Sequence, residues 1–167
     1  MANHESLPYR LNVGAVLFSK DGLVFVGRRK GFPDAWQLPQ GGVDEGENIR
    51  LAVLRELKEE IGTDKAEIIA EHPDWLLYDL PPHLVGVAWN GKYRGQRQRW
   101  FALRFTGEDS DINLHADDHP EFEDWKWARL DELPHLAVAF KRDIYERLAR
   151  DFASYARHTS EKGPLTP

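Results

Sequence analysis

The 167 residues suit one domain of ordinary size, and 41% hydrophobic residues supply a sizeable core, which excludes a disordered chain. A formal net charge of −6 argues against a protein that coats nucleic acid through bulk positive charge. The absence of cysteine excludes disulfides, thiolate metal sites and a cysteine nucleophile, so with 28 Asp and Glu any metal is expected on carboxylates.

The opening stretch MANHESLPYR lacks the apolar segment of a secretory signal, and no run approaches the roughly 18 apolar residues of a membrane span. A cytoplasmic protein with no membrane partner is the expectation. Residues 10–18 read as a strand, Asp21-Gly22 as a hairpin turn and residues 23–28 as the returning strand. Pro33, Pro39 and Gly41-Gly42 mark a turn-rich connection. A helix is expected over 48–61, closed by Gly62. Strands follow at 66–70 and 75–80, then a long loop from Pro81-Pro82 to about Gly95. Residues 97–106 form the next strand, ended by Gly107-Glu108-Asp109. A short strand at 125–128 precedes an amphipathic helix within 136–157, with Phe140, Ile144, Leu148, Phe152 and Tyr155 at helical spacing. The six tryptophans are expected to be mostly core, although Trp36 leads into the 37–42 loop. No repeat or linker interrupts this order, so one α/β domain is expected over 1–167, with a flexible tail from about 158.

The helix at 48–61 carries the chemistry. At about 100° per residue, Glu56, Glu59 and Glu60 share an arc of about 100°, while Leu51, Leu54, Leu57 and Ile61 lie opposite. The expectation is a helix pinned by its leucines that turns a carboxylate row outward. Like charges at this spacing weaken a helix, and acids near its C-terminus oppose the macrodipole. Mg²⁺ or Mn²⁺ would remove both penalties, since hard oxygen ligands suit them. Basic clusters at Arg28-Arg29-Lys30 and at Lys92, Arg94, Arg97, Arg99 and Arg104 would suit a phosphorylated substrate carried on such ions.

The segment 41–63 resembles the Nudix box, a glycine, five residues, a glutamate, seven residues, then R-E-U-x-E-E-x-G-U, where U is a bulky aliphatic. Gly41, Glu47, Arg55, Glu56, Leu57, Glu59, Glu60 and Gly62 fill its positions, and Thr63 departs at the last. The stretches Tyr9-Arg10, Trp36 to Gly42, Tyr93 to Gln96, Gln98 to Phe101, Pro120-Glu121-Phe122 and Phe140 to Asp143 are similar to one subfamily. That subfamily contains RNA pyrophosphohydrolases and dinucleoside polyphosphate hydrolases.

The resemblance implies an α/β/α sandwich around a mixed β-sheet and a metal-dependent pyrophosphohydrolase. Its substrates would be nucleoside polyphosphates, either 5′-triphosphorylated RNA ends or dinucleoside polyphosphates such as diadenosine tetraphosphate. Glu56, Glu59, Glu60, Glu121 and the Gly41 carbonyl would hold Mg²⁺, with Mn²⁺ or Zn²⁺ as alternatives. Arg55 would orient the carboxylates, and Glu60 or Glu121 would act as general base. Arg10 and Arg28 are candidates for phosphate binding or base stacking, and Gln40 and Tyr78 for lining the nucleotide site. Arg97 and Arg99 are phosphate candidates or surface charges on an edge strand. Phe140 is a base-stacking candidate or a core aromatic. A monomer is expected. The alternative function is a non-catalytic nucleotide-sensing module, whose mark would be a lost metal glutamate; none is lost here.

Overall fold

The computed structural model of the chain describes residues 7–138 and 141–156. The first strand, β1 (Tyr9–Phe18), turns through Asp21-Gly22 into β2 (Val24–Arg29). The Pro/Gly-rich connection holds two very short strands, β3 (Trp36–Gln37) and β4 (Gln40–Gly42). Helix α1 (Ile49–Ile61) follows. The Asn48 side chain caps it by accepting from the backbone N–H groups of Arg50 at 2.9 Å and Leu51 at 3.3 Å. Gly62 ends it with φ at 82°, a left-handed conformation that glycine adopts without strain.

After α1 come β5 (Ala66–Glu71) and β6 (Leu76–Asp79), then a loop with two 3₁₀ turns, Pro82–Leu84 and Ala88–Gly91. Strand β7 (Gly95–Phe105) begins earlier than its sequence suggested, and β8 (Phe122–Ala128) is longer. The single helix expected within 136–157 is divided. A four-residue α2 (Leu133–Leu136) precedes α3 (Arg142–Asp151), and a 3₁₀ turn spans Ala153–Ala156. Phe140 and the tail expected from about 158 lie outside the described residues.

The eight strands form one mixed sheet in the order β3-β2-β1-β7-β5, with β4 also on β1, β6 on β7 and β8 on β2. β1 and β7 run parallel from Tyr9 opposite Gly95 to Phe18 opposite Arg104, and the other pairs are antiparallel. Side-chain alternation sends Val13, Ala15, Leu17, Phe101 and Leu103 to one face, where Ala52, Val53, Leu57 and Ile61 of α1 cover them. Val16, Phe18, Trp100 and Ala102 point the other way, under Ile144, Tyr145 and Leu148 of α3 and the following Phe152. Helix, sheet and helix thus make the three layers of the sandwich. Thr63, at the aliphatic position of the box, is buried, and its Oγ1 accepts from the Lys65 N–H at 3.1 Å. No helix among the described residues is long and apolar enough to cross a membrane.

Two expectations need correction. Leu51 is 64% exposed and Leu54 only partly covered, while Glu60 is buried with Ala52, Val53, Leu57 and Ile61. The buried arc of α1 is therefore centred near Glu60, because the helix lies over the seam where β4 joins the sheet. Among the tryptophans, Trp100 is fully buried and the other five are partly covered. On β8, Trp125 stacks on Phe25 at 5.6 Å while Trp127 meets that ring edge-on and donates its indole N–H to Asp109.

Candidate active site

Arg55 is the hub of the helix-and-loop seam. Its guanidinium makes a two-pronged pair with Glu47, Nε to Oε2 at 2.7 Å and Nη2 to Oε1 at 2.8 Å. Nη1 donates to Glu56 at 2.9 Å and to both oxygens of Glu59, and Nη2 donates to the Gly42 carbonyl at 2.9 Å. One side chain thereby fixes two carboxylates of the row and ties the helix to the loop before it. The Arg55 hydrogen bonds, with the Asp44 N–H assisting, hold the Glu47 carboxyl down to about 2.

The remaining carboxylates meet at the deep end. Glu60 accepts from the Gln40 backbone N–H at 2.9 Å. Burial pushes its carboxyl well above the usual range, and the negative charges of Glu56 and Glu121 push the same way. Burial also raises Glu56, against the pull of Arg55. Gly41 makes this approach feasible, since a Cβ there would stand 1.9 Å from Glu56 Oε2. Glu121 arrives from the start of β8, where the Phe122 ring lies so close on Gly27 that a Cβ would be 2.4 Å from it. Among the described residues, no three His, Asp or Glu side chains form a ready-made metal cage. Arg55 engages oxygens of Glu56 and Glu59, so the row is arranged as a salt-bridged set.

These groups line a cleft of about 460 Å³ that also contains Arg10, Asn12, Arg29, Gln40, Tyr78, Trp89, Gln96, Asp117, His119 and Lys141. Arg10 packs where a Gly42 side chain would be and lies under the Trp89 indole, 5.6 Å from the ring centre. Burial, with the charge of Arg29, lowers the Lys141 ammonium to about 8, and its Nζ donates to Gln37 at 2.7 Å. Burial pushes the Tyr78 hydroxyl up to about 12.

Of the sequence candidates, Gly41, Glu56, Glu59, Glu60, Glu121, Arg10, Gln40 and Tyr78 face this cleft, and Arg55 braces it from the side. Arg28 does not line it and instead faces Glu123 at 3.6 Å. Successive strand residues face opposite ways, and Arg29 is the member of that basic cluster at the cleft. Arg97 and Arg99 are elsewhere too. Both guanidinium groups lie over Trp75, and Arg99 pairs with Glu71 at 2.8 Å, because odd positions of β7 face away from Gln96. Phe140 falls outside the described residues. Within the 28–30 cluster the sequence pointed to Arg28 rather than Arg29, and it passed over Asn12 and Trp89 as site residues. Asn12 had a signal, a lone amide within an apolar strand. Trp89 had none, since its place depends on two residues of positive φ, Trp89 at 52° and Asn90 at 59°.

A family model described as NUDIX domain matches residues 8–148. The RNA pyrophosphohydrolase of Gluconacetobacter diazotrophicus is 54% identical over 165 residues, covering 94% of this chain and 99% of the relative. That of Acidiphilium cryptum is 56% identical over 161 residues, covering 94% and 98%. Among solved structures, the dihydroneopterin triphosphate pyrophosphohydrolase of E. coli has a TM-score of 0.64 at 23% identity, covering 86% of this chain and 99% of the other. An Ap4A hydrolase of C. elegans in a binary complex gives 0.62 at 22% identity, covering 87% and 98%. The solved structures establish a shared fold.

Proposed function

The chain belongs to the NUDIX family, and from that premise we propose that it hydrolyses nucleoside polyphosphates, removing pyrophosphate from 5′-triphosphorylated RNA and splitting dinucleoside polyphosphates more slowly. The observation that carries this reading is the 54% identity to an RNA pyrophosphohydrolase across 94% of the chain.

Nudix hydrolases work with divalent metal ions. The donor set suits one, because the Glu56 carboxylate sits against the Gly41 backbone where any Cβ would clash, and the charges of Glu56 and Glu121 both act on buried Glu60. Glu56, Glu59, Glu60, Glu121 and the Gly41 carbonyl would hold Mg²⁺, with Mn²⁺ or Zn²⁺ as substitutes. When bound, such ions neutralise phosphate oxygens and lower the pKa of bound water. The protein's residues supply the rest. Arg55 keeps Glu56 and Glu59 in line. Arg10, Arg29 and Lys141 meet the phosphate chain, and Tyr78 and Trp89 flank the nucleoside. Water attacks phosphorus, the new P–O bond forms as the anhydride P–O bond breaks, and Glu60 or Glu121 takes the proton; the leaving group is pyrophosphate from a triphosphorylated RNA end and a nucleotide from a dinucleoside polyphosphate.

Purified protein with Mg²⁺, offered triphosphorylated RNA and diadenosine tetraphosphate in parallel, tests the reading through kcat/KM. Turnover of both, with the RNA end preferred, is expected. Hydrolysis of neither would overturn it.

A further inference from the structure

Behind the 37–42 loop lies a row of uncharged amides. The Trp100 indole N–H donates to Gln98 Oε1 at 2.8 Å. An indole N–H can only donate, so it fixes which end of Gln98 faces it. Gln98 Nε2 then donates to Gln96 Oε1 at 2.7 Å, and that same oxygen accepts from Gln40 Nε2 at 3.3 Å. The polarity of the whole row follows from one indole. Gly14 makes room for it, standing between Gln40 on β4 and Trp100 on β7, where a Cβ would be 2.4 Å from the indole ring.

The row ends on unpaired atoms. Gln40 Oε1 is buried without a partner among the described residues. So are both Nδ2 and Oδ1 of Asn12, which is 1% exposed. Both residues line the cleft. Buried amides left unpaired are destabilising, and such groups in a native cleft call for a partner.

The chemistry of the orphans restricts that partner. Ionised phosphate oxygens only accept hydrogen bonds, and the cleft already offers them Arg10, Arg29 and Lys141. Gln40 Oε1 and Asn12 Oδ1 each need a donor and Asn12 Nδ2 an acceptor, so one hydroxyl, with its single hydrogen, serves the Gln40 oxygen and the Asn12 Nδ2 group. A hydroxyl is both, and the sugar hydroxyl is common to every nucleoside whatever its base. Building on the reading of the substrate given above, we infer that Asn12 and Gln40 are the seat for a ribose hydroxyl, with Gln96, Gln98 and Trp100 as positioning residues that turn the Gln40 oxygen toward it.

At the first nucleotide of an RNA chain the 3′ oxygen is esterified, so the 2′-hydroxyl is the sugar's one donor. Two triphosphorylated oligonucleotides that differ only in ribose or 2′-deoxyribose at that position provide the test. The parent enzyme is expected to favour ribose about tenfold in kcat/KM. Asn12→Ala and Gln40→Met should bring the ratio toward one, mainly by weakening turnover of the ribose substrate. Trp100→Phe removes the donor that sets the row and should reduce the ratio partway. A merely structural role would lower both substrates together and leave the ratio unchanged. That result, or a ratio near one in the parent, overturns the inference. Failure of the parent to hydrolyse either substrate would count against the proposed activity instead.

Discussion

A methyl group at Gly41 would stand 1.9 Å from Glu56 Oε2 and 2.0 Å from its Cδ. The obstructing atoms are the far end of a side chain, so Gly41→Ala displaces the carboxylate rather than the backbone. The expected outcome is a fall of about a hundredfold in kcat, the scale of losing one electrostatic group at a reacting centre. Thermal unfolding should change by only a few degrees, and steady-state kinetics with a melt on the same preparation checks both. Glu60→Gln makes a complementary case. It keeps shape and the hydrogen bond from Gln40 while deleting a charge that is buried beside Glu56 and Glu121. Its kcat should fall at least about a hundredfold, yet urea melts without divalent metal should show equal or greater stability, because mutual repulsion is relieved. A variant that is both active and less stable would contradict this placement.

Helix α1 separates what patterns in a sequence reveal from what they conceal. Its end at Gly62 was legible because capping is local chemistry, whereas Asn48, expected inside the helix, is its N-cap. The spacing of Arg55, Glu56, Glu59 and Glu60 was legible for the same reason. Its buried face was legible only in part: Leu57 and Ile61 are buried as expected, but packing chose Ala52 and Val53 over Leu51 and Leu54 and drew in Glu60. Leu57→Ala should therefore cost about 2–5 kcal/mol, while Leu51→Ala should be within about 0.5 kcal/mol of the parent, as denaturant titration would show. Strands β3 and β4 were hidden because two or three residues carry no periodicity. On β7, alternation separates Gln96 and Gln98 from Arg97 and Arg99, but sequence does not say which side holds the cleft. Arg29, Trp89 and Lys141 reach it from three distant segments, and only tertiary structure brings them together.

At the scale of the whole molecule, His72 ties the β5–β6 connection to the end of α3. It is buried, its Nδ1 lies against the Asp74 backbone, and its Nε2 meets the Asp151 carboxylate at 2.8 Å; an ionised carboxylate only accepts, so Nε2 is the donor. That bond, with Arg150 assisting, holds the Asp151 carboxyl below its usual range. A depressed carboxyl stabilises the fold above its unfolded value near 3.8 and loses that contribution as pH falls through the lower folded value. Asp151→Asn should thus be less stable than the parent at pH 6, and the gap should shrink below about pH 4, a trend measurable by melts across that window.

The parallel pairing of β1 with β7 has a bearing on how the protein comes into being. It joins residue 9 to residue 95 and residue 18 to residue 104, so the centre of the sheet closes a long loop before any contact rewards it. Such non-local topology slows folding relative to helical bundles, whose contacts are mostly local. During synthesis, α1 and its glutamates leave the ribosome well before β7 supplies the strand beside β1. Until then the apolar face of β1 and the row of carboxylates must wait, one without its neighbour and the other without a cleft.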